Sequence, residues 1–250
     1  MKLDISKICA YCADVFGQEK DHVLGRQFLP NETKYRDGLP KVPACAKCNR
    51  LKQKYEDSAA VILQFGHDSE ASRKVLDQRV TRTLRKNDRL ARAMHDGARV
   101  VWVPHESGLV VRTLAIDINP QELFHLNQWF RLLVKGLYRF ELGVVLPKPY
   151  TTYLLKPESR EEYECLGGFL LASGDPQKRS LAAGEFKYTF VTAAHDEAFT
   201  MWALAFKSVE VFAVTLGQAA PSSLTKIMQA REWLSAPPRA DHPNRQILLP

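Results

Sequence analysis

The sequence has no long apolar run, which argues against a membrane-spanning helix, and it has only five cysteines. A membrane-spanning helix needs about 20 consecutive apolar residues, and no stretch of the 250 residues approaches that length. The amino-terminal segment, MKLDISKICAYC, also lacks the apolar core of a secretory signal. We therefore expect a cytoplasmic protein without membrane association. In a reducing compartment, five cysteines, four of them in C-x-x-C pairs, are more typical of metal ligands than of disulfides.

The composition is typical of a folded protein with a substantial core. Hydrophobic residues make up 45% of the chain and charged residues 25%, which is the usual mixture in globular domains. A chain of this length has room for one large domain or two ordinary ones. We predict an α+β protein with two units, residues 1–97 and residues 98–250, because the pattern changes after Gly97 from helix to strand.

Positive charge is concentrated in the first of these units. Residues 1–97 contain 19 Lys and Arg against 13 Asp and Glu, whereas residues 98–250 contain 16 against 15. A surplus of positive charge beside the cysteines favours binding to a polyanion such as nucleic acid. A basic surface that only keeps the protein soluble is the alternative.

The two cysteine pairs predict a structural zinc site. Cys9-x-x-Cys12 and Cys45-x-x-Cys48 supply four thiolates, and each pair can bind the metal from one knuckle. A full shell of thiolates leaves no open position for a substrate, so this metal is expected to be structural. The fifth cysteine, Cys165, stands alone and is expected to be a buried small apolar residue.

The motifs between and after the cysteine pairs resemble those of the HNH endonuclease family. Asp21-His22 lies between the pairs, and Asn49-Arg50-Leu51-Lys52 follows the last cysteine directly. Over residues 7–56 the chain is similar to the four-cysteine zinc variants, whose pattern is C-x-x-C, then D/E-H, then C-x-x-C-N-x-x-K. The resemblance implies a ββα-metal fold, the hydrolysis of phosphodiester bonds, and DNA more than RNA as the substrate. Such enzymes serve restriction and phage defence.

The resemblance also implies a role for each motif residue. His22, on the first strand, would deprotonate the water that attacks the scissile phosphate, a role that suits an imidazole. Asp21 and Asn49 would hold a catalytic Mg²⁺ or Mn²⁺, which prefer oxygen ligands. Two positions depart from the family pattern, because Pro40 stands where an Asn orients the base and Gly25 stands where a Pro is usual. Backbone carbonyls are a possible replacement for that Asn.

Basic residues near these motifs are the predicted phosphate contacts. A helix is expected from about Ser69 to Met94, with apolar residues in one sector and a row of cations opposite. Such a row suits a phosphate backbone, although most surface helices carry a solvated charged face. The predicted nucleic-acid ligands are Arg26, Arg50, Lys52, Arg79, Arg82, Lys86 and Arg89.

The second unit has strand-like segments around one long helix, and its role is expected to be the recognition of a target or a protein partner, including a second copy of the chain. A hairpin is predicted first, then a helix over residues 119–142, and then an antiparallel sheet. The predicted strands are Ala98–Pro104, Leu109–Ile116, Tyr150–Leu155, Phe169–Ala172, Phe186–Ala193, Ala198–Ala205 and Val209–Leu216.

Two other functions are compatible with the same sequence. One is a zinc-stabilised nucleic-acid-binding protein that does not cut, an alternative that Pro40 favours. The other is a protein-interaction module whose basic helix only keeps it soluble. Cleavage tests separate the nuclease from both.

Overall fold

The computed structural model describes residues 7–65, 69–104, 108–193, 196–207, 209–217, 220 and 222–231. These residues form a mixed fold of helices and strands in which the larger sheet is antiparallel, as the sequence predicts. Within these ranges, no helix has both the length and the apolar character that crossing a bilayer would require.

A short hairpin and a long helix form the amino-terminal part. Strand β1 (Glu19–His22) leads through a single helical turn, α1 (Thr33–Arg36), to strand β2 (Lys41–Ala44), and the two strands pair antiparallel. Helix α2 (Ala46–Ile62) follows directly, and the Cys45 side chain caps its first turn. This part therefore has the order strand, strand, helix.

The single helix predicted over Ser69–Met94 is interrupted in the structure. At Asn87 the backbone leaves the helical region, with φ −127° and ψ 80°, and the Asn87 side chain accepts a hydrogen bond from the Leu90 N–H at 3.1 Å. Asn87 therefore starts a new helix, as Asn often does, and divides the predicted row of cations between two helices. The segments are α3 (Glu70–Val75), a π-helical turn (Leu76–Val80), α4 (Thr81–Lys86) and α5 (Asp88–Gly97).

The predicted hairpin and long helix of the second half are confirmed. Strand β3 (Ala98–Pro104) pairs with β4 (Val110–Ile116), and helix α6 (Pro120–Leu142) follows. The Asn119 side chain accepts from the Glu122 N–H at 2.9 Å, and Pro120 in the first turn needs no donor of its own. Gly143 ends the helix with a φ of +71°.

A five-stranded antiparallel sheet completes the chain, in the order β5-β9-β8-β7-β6. Along the chain, helix α7 lies between strands β5 and β6, and helix α8 follows strand β9. The elements are β5 (Thr151–Leu155), α7 (Arg160–Ala172), β6 (Gln177–Leu181), β7 (Phe186–Ala193), β8 (Asp196–Phe206), β9 (Val209–Leu216) and α8 (Ser222–Arg231).

Two predictions for the α7 region are wrong. Phe169–Ala172, predicted as a strand from its apolar run, is the last turn of α7. The helix begins because the Ser159 side chain accepts from the Glu162 N–H at 3.2 Å, and it continues through the apolar run. Cys165, predicted as buried, is exposed on this helix, because α7 covers the sheet with a narrow side that includes buried Leu170.

Helix α6 forms the centre of a hydrophobic core that both halves of the chain share. Trp129 is fully buried, stacks on Phe28 with ring centroids 4.6 Å apart, and contacts the Phe206 ring edge-on. The same cluster continues from Cys9 to Ala213. A common core therefore crosses the boundary predicted at residues 97 and 98.

Helix α6 comes close to the segment after β1 at Gly136. A Cβ atom at this position would lie 2.8 Å from Cγ1 of Val23, the fully buried residue after strand β1. Cβ contacts shorter than 3.0 Å are essentially never found, and a buried Val side chain has no flexible end that can move aside. The Val23 side chain therefore packs directly on the main chain of α6.

We expect Gly136→Val to destabilise the protein relative to Gly167→Val, its matched control. Both glycines lie inside helices, but nothing lies within 4 Å of a Cβ built at Gly167. The difference in unfolding free energy should be roughly 1–3 kcal/mol, the usual cost of overpacking a core. Urea unfolding of both variants measures it, and equal stabilities would contradict the contact.

Candidate metal centre and active site

The thiols of the two cysteine pairs meet in one cluster. The Sγ atoms of Cys9, Cys12, Cys45 and Cys48 all lie within 4.8 Å of one another. Tetrahedral zinc with four thiolates has sulfur atoms about 3.8 Å apart, as its Zn–S bond length requires. The prediction of a four-cysteine site is therefore confirmed at the level of its ligands, which fit a structural ion such as zinc.

Main-chain hydrogen bonds bring the two knuckles together. The Ala10 N–H, inside the first pair, donates to the Pro43 carbonyl oxygen on β2 at 2.9 Å. The second pair begins immediately after β2, and the Cys48 N–H lies 3.5 Å from the Cys45 sulfur in the first turn of α2. The hairpin thus positions the first knuckle directly beside the second.

Lys135, on helix α6, lies next to this cluster. Its ammonium donates to the Tyr11 carbonyl oxygen at 3.3 Å. Burial lowers the pKa of Lys135, whereas the neighbouring cysteines, among them Cys48 and Cys12, raise it. A zinc ion with four thiolates carries net negative charge, which a nearby ammonium partly offsets.

The seam between β1 and α2 contains the acidic residue of the motif. Oδ2 of Asp21 accepts from the Tyr11 hydroxyl and lies 2.9 Å from Nζ of Lys52. The Lys52 ammonium also lies 2.5 Å from Oε1 of Glu56 and donates to the His22 carbonyl oxygen at 2.8 Å. The lysine thus joins strand β1 to helix α2 through three acceptors.

The sequence predicts phosphate contact for Lys52, and the structure corrects this. Its side chain is only 1% exposed, and its ammonium is surrounded by protein acceptors. A buried cation needs such partners, because leaving water is costly without them. Lys52 therefore orders the seam, and it does not reach a surface where a phosphate binds.

The Lys52 network also packs closely against Gly25. A Cβ atom at Gly25 would lie 2.6 Å from both carboxylate oxygens of Glu56. Lys52 and Gln27 hold that carboxylate, the latter with a hydrogen bond of 3.3 Å. Burial raises the pKa of Glu56, and the Lys52 charge opposes this shift. A side chain at position 25 would therefore have to displace the Glu56 carboxylate from these contacts.

His22 follows Asp21 on β1, and its main chain is held on both sides. Its carbonyl oxygen accepts from Lys52, and the next N–H, of Val23, donates to the Pro40 carbonyl oxygen at 2.9 Å. Nε2 of His22 is buried and has no hydrogen-bond partner among the described residues. Burial, then the charges of nearby cations, Arg26 first, lower the pKa of His22, which favours a neutral imidazole.

Asn49 lies in the same seam, one helical turn before Lys52. Its Nδ2 donates to Oε2 of Glu19 at 2.5 Å. Glu19 and Asp21 are two residues apart and so share a face of β1, as Asn49 and Lys52 share a face of α2. Asp21 and Asn49 therefore lie on facing surfaces. The contacts with Tyr11, Lys52 and Glu19 use Oδ2 of Asp21 and Nδ2 of Asn49. They do not use Oδ1 of either side chain.

Glu19 is a residue of this seam that the sequence prediction missed. It contacts Asn49 directly and adds a third carboxylate or amide group beside Asp21 and Asn49. The signal in the sequence was its position two residues before Asp21, on the same face of the same strand.

The other side chains predicted to bind phosphate differ in whether protein groups already pair with them. Arg79 donates to the Asn31 side chain at 2.6 Å, and Arg89 is paired with the fully buried Glu122. The Arg89 side chain is 48% exposed, but its charge is already paired with this carboxylate, which argues against a primary role in phosphate contact. The others are exposed side chains, namely Arg26, Arg50, Arg82 and Lys86.

The group formed by His125, Ser58 and Glu122 has the composition of a catalytic triad but lacks the geometry of one. Nδ1 of His125 lies 3.0 Å from the Ser58 hydroxyl and 3.5 Å from Oε2 of Glu122. A triad needs the acid and the nucleophile on different ring nitrogens, whereas both groups here approach Nδ1. All three residues are buried, so the cluster joins α2 to α6.

Comparison with known proteins found no family model, no curated protein and no solved structure that matches this chain. The resemblance to HNH endonucleases therefore depends on the motifs and on the geometry of the chain itself.

We expect the purified protein to contain about one zinc ion per chain, and Cys48→Ser to lose it. The binding free energy of a structural zinc site is also folding free energy, so the variant should unfold at a markedly lower temperature. Cys165→Ser is the control, because Cys165 is exposed and outside the cluster. Elemental analysis and thermal unfolding give the answer. Equal metal content in both variants would exclude the four-cysteine site.

We expect Lys52→Met to destabilise the protein by about 3–5 kcal/mol, because it leaves Asp21 and Glu56 buried together without a cation. Lys54→Met, two positions along the same helix, is exposed and should change stability by less than about 0.5 kcal/mol. Chemical unfolding of the two variants checks this difference. Similar losses would show that the Lys52 network contributes little.

Proposed function

We propose that this protein is a metal-dependent HNH-type endonuclease that hydrolyses phosphodiester bonds in DNA. The observation that carries the proposal is the seam between β1 and α2. There, Asp21 and Asn49 lie on facing surfaces, and His22 follows Asp21 on the strand. The order hairpin then helix, with a cysteine cluster at its base, is the arrangement that the HNH motif implies.

Asp21 and Asn49 are the proposed ligands of a catalytic Mg²⁺ or Mn²⁺. Each side chain keeps Oδ1 for a metal while its other polar atom is held by protein, Asp21 by Lys52 and Asn49 by Glu19. Carboxylate and amide oxygens suit these hard cations. When bound, the ion would stabilise the charge that develops on the phosphate and on its leaving oxygen.

His22 is the proposed general base. Its unpartnered Nε2 is able to accept a proton from the attacking water, and a positioned base of this kind accelerates hydrolysis by a factor of about 10² to 10⁴. The contacts of the His22 carbonyl with Lys52 and of the Val23 N–H with Pro40 fix the strand here. In this proposal, the Pro40 carbonyl helps to orient His22, as an Asn side chain orients the general base in the HNH family.

The rest of the chain has supporting roles in this proposal. The zinc cluster holds the start of α2 against the hairpin and thereby sets the position of Asn49. Exposed cations beside the motif, Arg26 and Arg50, attract the phosphate backbone. Residues 98–250 select the target or a partner, and their helix α6 supports the hairpin from behind.

A second candidate is a zinc-stabilised nucleic-acid-binding protein that does not cut. It is favoured by one contact, the approach of Nζ of Lys52 to Oδ2 of Asp21 at 2.9 Å. An ammonium beside a metal-binding carboxylate repels a divalent cation. In this alternative the seam is purely structural.

Cleavage by His22→Ala separates the two candidates. We expect the wild-type protein to cut plasmid DNA with Mg²⁺ or Mn²⁺, and the variant to be slower by at least about a hundredfold. His95→Ala is the matched control, since that side chain is 88% exposed on α5, and it should cut like the wild type. Zinc content and DNA binding are measured for all three proteins. A wild type that binds but never cuts, or a variant that cuts equally well, contradicts the nuclease mechanism.

A further inference from the structure

A polar cleft lies beside the candidate active site, between the loop before α1 and the π-helical turn Leu76–Val80. Its volume is about 510 Å³, and Gln27, Asn31, Arg79 and Arg82 are among its lining residues. Such a volume admits a small anionic group together with water.

Two guanidinium groups converge on a single neutral acceptor at this cleft. Arg36 and Arg79 both donate to Oδ1 of Asn31, each at 2.6 Å. The two side chains come from segments far apart in the sequence, so the fold brings them together. Nε of Arg79 is in addition buried and has no hydrogen-bond partner among the described residues. A buried donor without an acceptor is costly, and an anionic ligand in the cleft would provide the acceptor.

The charges around the cleft are poorly compensated. Burial, then the charges of Arg79 and Arg26, lower the pKa of Arg36, and burial together with Arg82 lowers that of Arg79. The acceptors of Arg36 are neutral, namely Asn31 and the carbonyl oxygens of Leu29 and Pro30. One carboxylate, Asp77, also lines the cleft, and among the described residues it forms no ion pair with these arginines. The cleft keeps a net positive charge.

The local backbone explains how Arg79 reaches the cleft. Residues Leu76–Val80 form a π-helical turn inside an otherwise α-helical run. A π-helical turn contains an extra residue, which rotates the side chains that follow, and such turns occur frequently at functional sites. Arg79 and Asp77 both line the cleft from this turn.

The cleft is also connected to the seam that contains the motif residues. Gln27 lines the cleft and donates to Glu56, which is paired with Lys52, the residue that contacts Asp21. The charge of Arg26 acts on both His22 and Arg36. Gln27 thus links the lining of the cleft to the Lys52 network of the seam.

We propose that this cleft binds a second phosphate of the nucleic-acid strand, next to the scissile one, and that Arg79 and Arg82, which line it, are its donors. The planar guanidinium group can donate two parallel hydrogen bonds to phosphate oxygens. The proposal rests on the proposed function, because it takes nucleic acid as the substrate. It places Arg79 and Arg82 in a cleft of the fold, where the sequence predicts a straight row of cations along one helix.

The test measures binding of a fluorescent DNA duplex without added Mg²⁺ or Mn²⁺, as a function of salt. We expect Arg79→Gln and Arg82→Gln each to weaken binding by about tenfold at low salt and to reduce the slope of log K against log salt by about one, the effect of one lost phosphate contact. Arg79→Lys should recover part of the loss. Arg160→Gln, the same charge change at an exposed site on α7, should bind like the wild type.

Each result supports or overturns the proposal independently of cleavage. Weaker binding by the two cleft variants supports it even if the wild type never cuts DNA. Equal binding by the cleft variants and Arg160→Gln overturns it even if the wild type cuts. Because Arg79 has a structural contact, its variant is compared for zinc content and thermal unfolding, and exposed Arg82 keeps the test valid if that variant does not fold. If inorganic phosphate stabilises the wild type but DNA binding is the same in every variant, the cleft is a site for free phosphate and the proposal is wrong.

Discussion

The buried ammonium of Lys52 is the interaction on which the arrangement of the candidate site depends. It contacts the side chains of Asp21 and Glu56 and the carbonyl oxygen of His22, so a single cation fixes both the strand and the helix that carry the motif. A buried charge of this kind is stable only while its partners remain in place. The close approach of Gly25 to Glu56 follows from the same network. Hence the order of the seam and the stability of the protein have a common origin.

Support for this seam comes from two separate parts of the chain. On one side the cysteine cluster ties the first turn of α2 to the segment before β1. On the other side helix α6 packs against Val23 through Gly136 and places Lys135 beside the cysteines. The hairpin is thus held between a local metal site and a distant helix. Short hairpins have little core of their own, which explains why this one needs both supports.

Sequence patterns predicted the elements whose signals are local. The cysteine spacing, the start of α6 and four of the five strands of the large sheet (β5, β7, β8 and β9) carry such signals, and they agree with the structure. The errors arose where a distant contact decides the outcome. Lys52 was expected to contact phosphate because it lies beside the motif residues, and only its partners explain its burial. The Phe169–Ala172 run was assigned to a strand because apolar runs fit both states, and the Ser159 cap decides for helix. The meeting of Arg36 with Arg79 had no signal, because it depends on how two segments pack.

The common core also determines when the site is completed as the chain is synthesised. All motif residues and all four cysteines lie before residue 53, yet Trp129 and Gly136 of α6 cover the inner side of the hairpin. During synthesis, the metal ligands therefore leave the ribosome long before helix α6, which packs against the hairpin that supports them. We expect the nascent amino-terminal part to stay incompletely folded until α6 has emerged, so a chain that ends early would possess every ligand and still lack an ordered site.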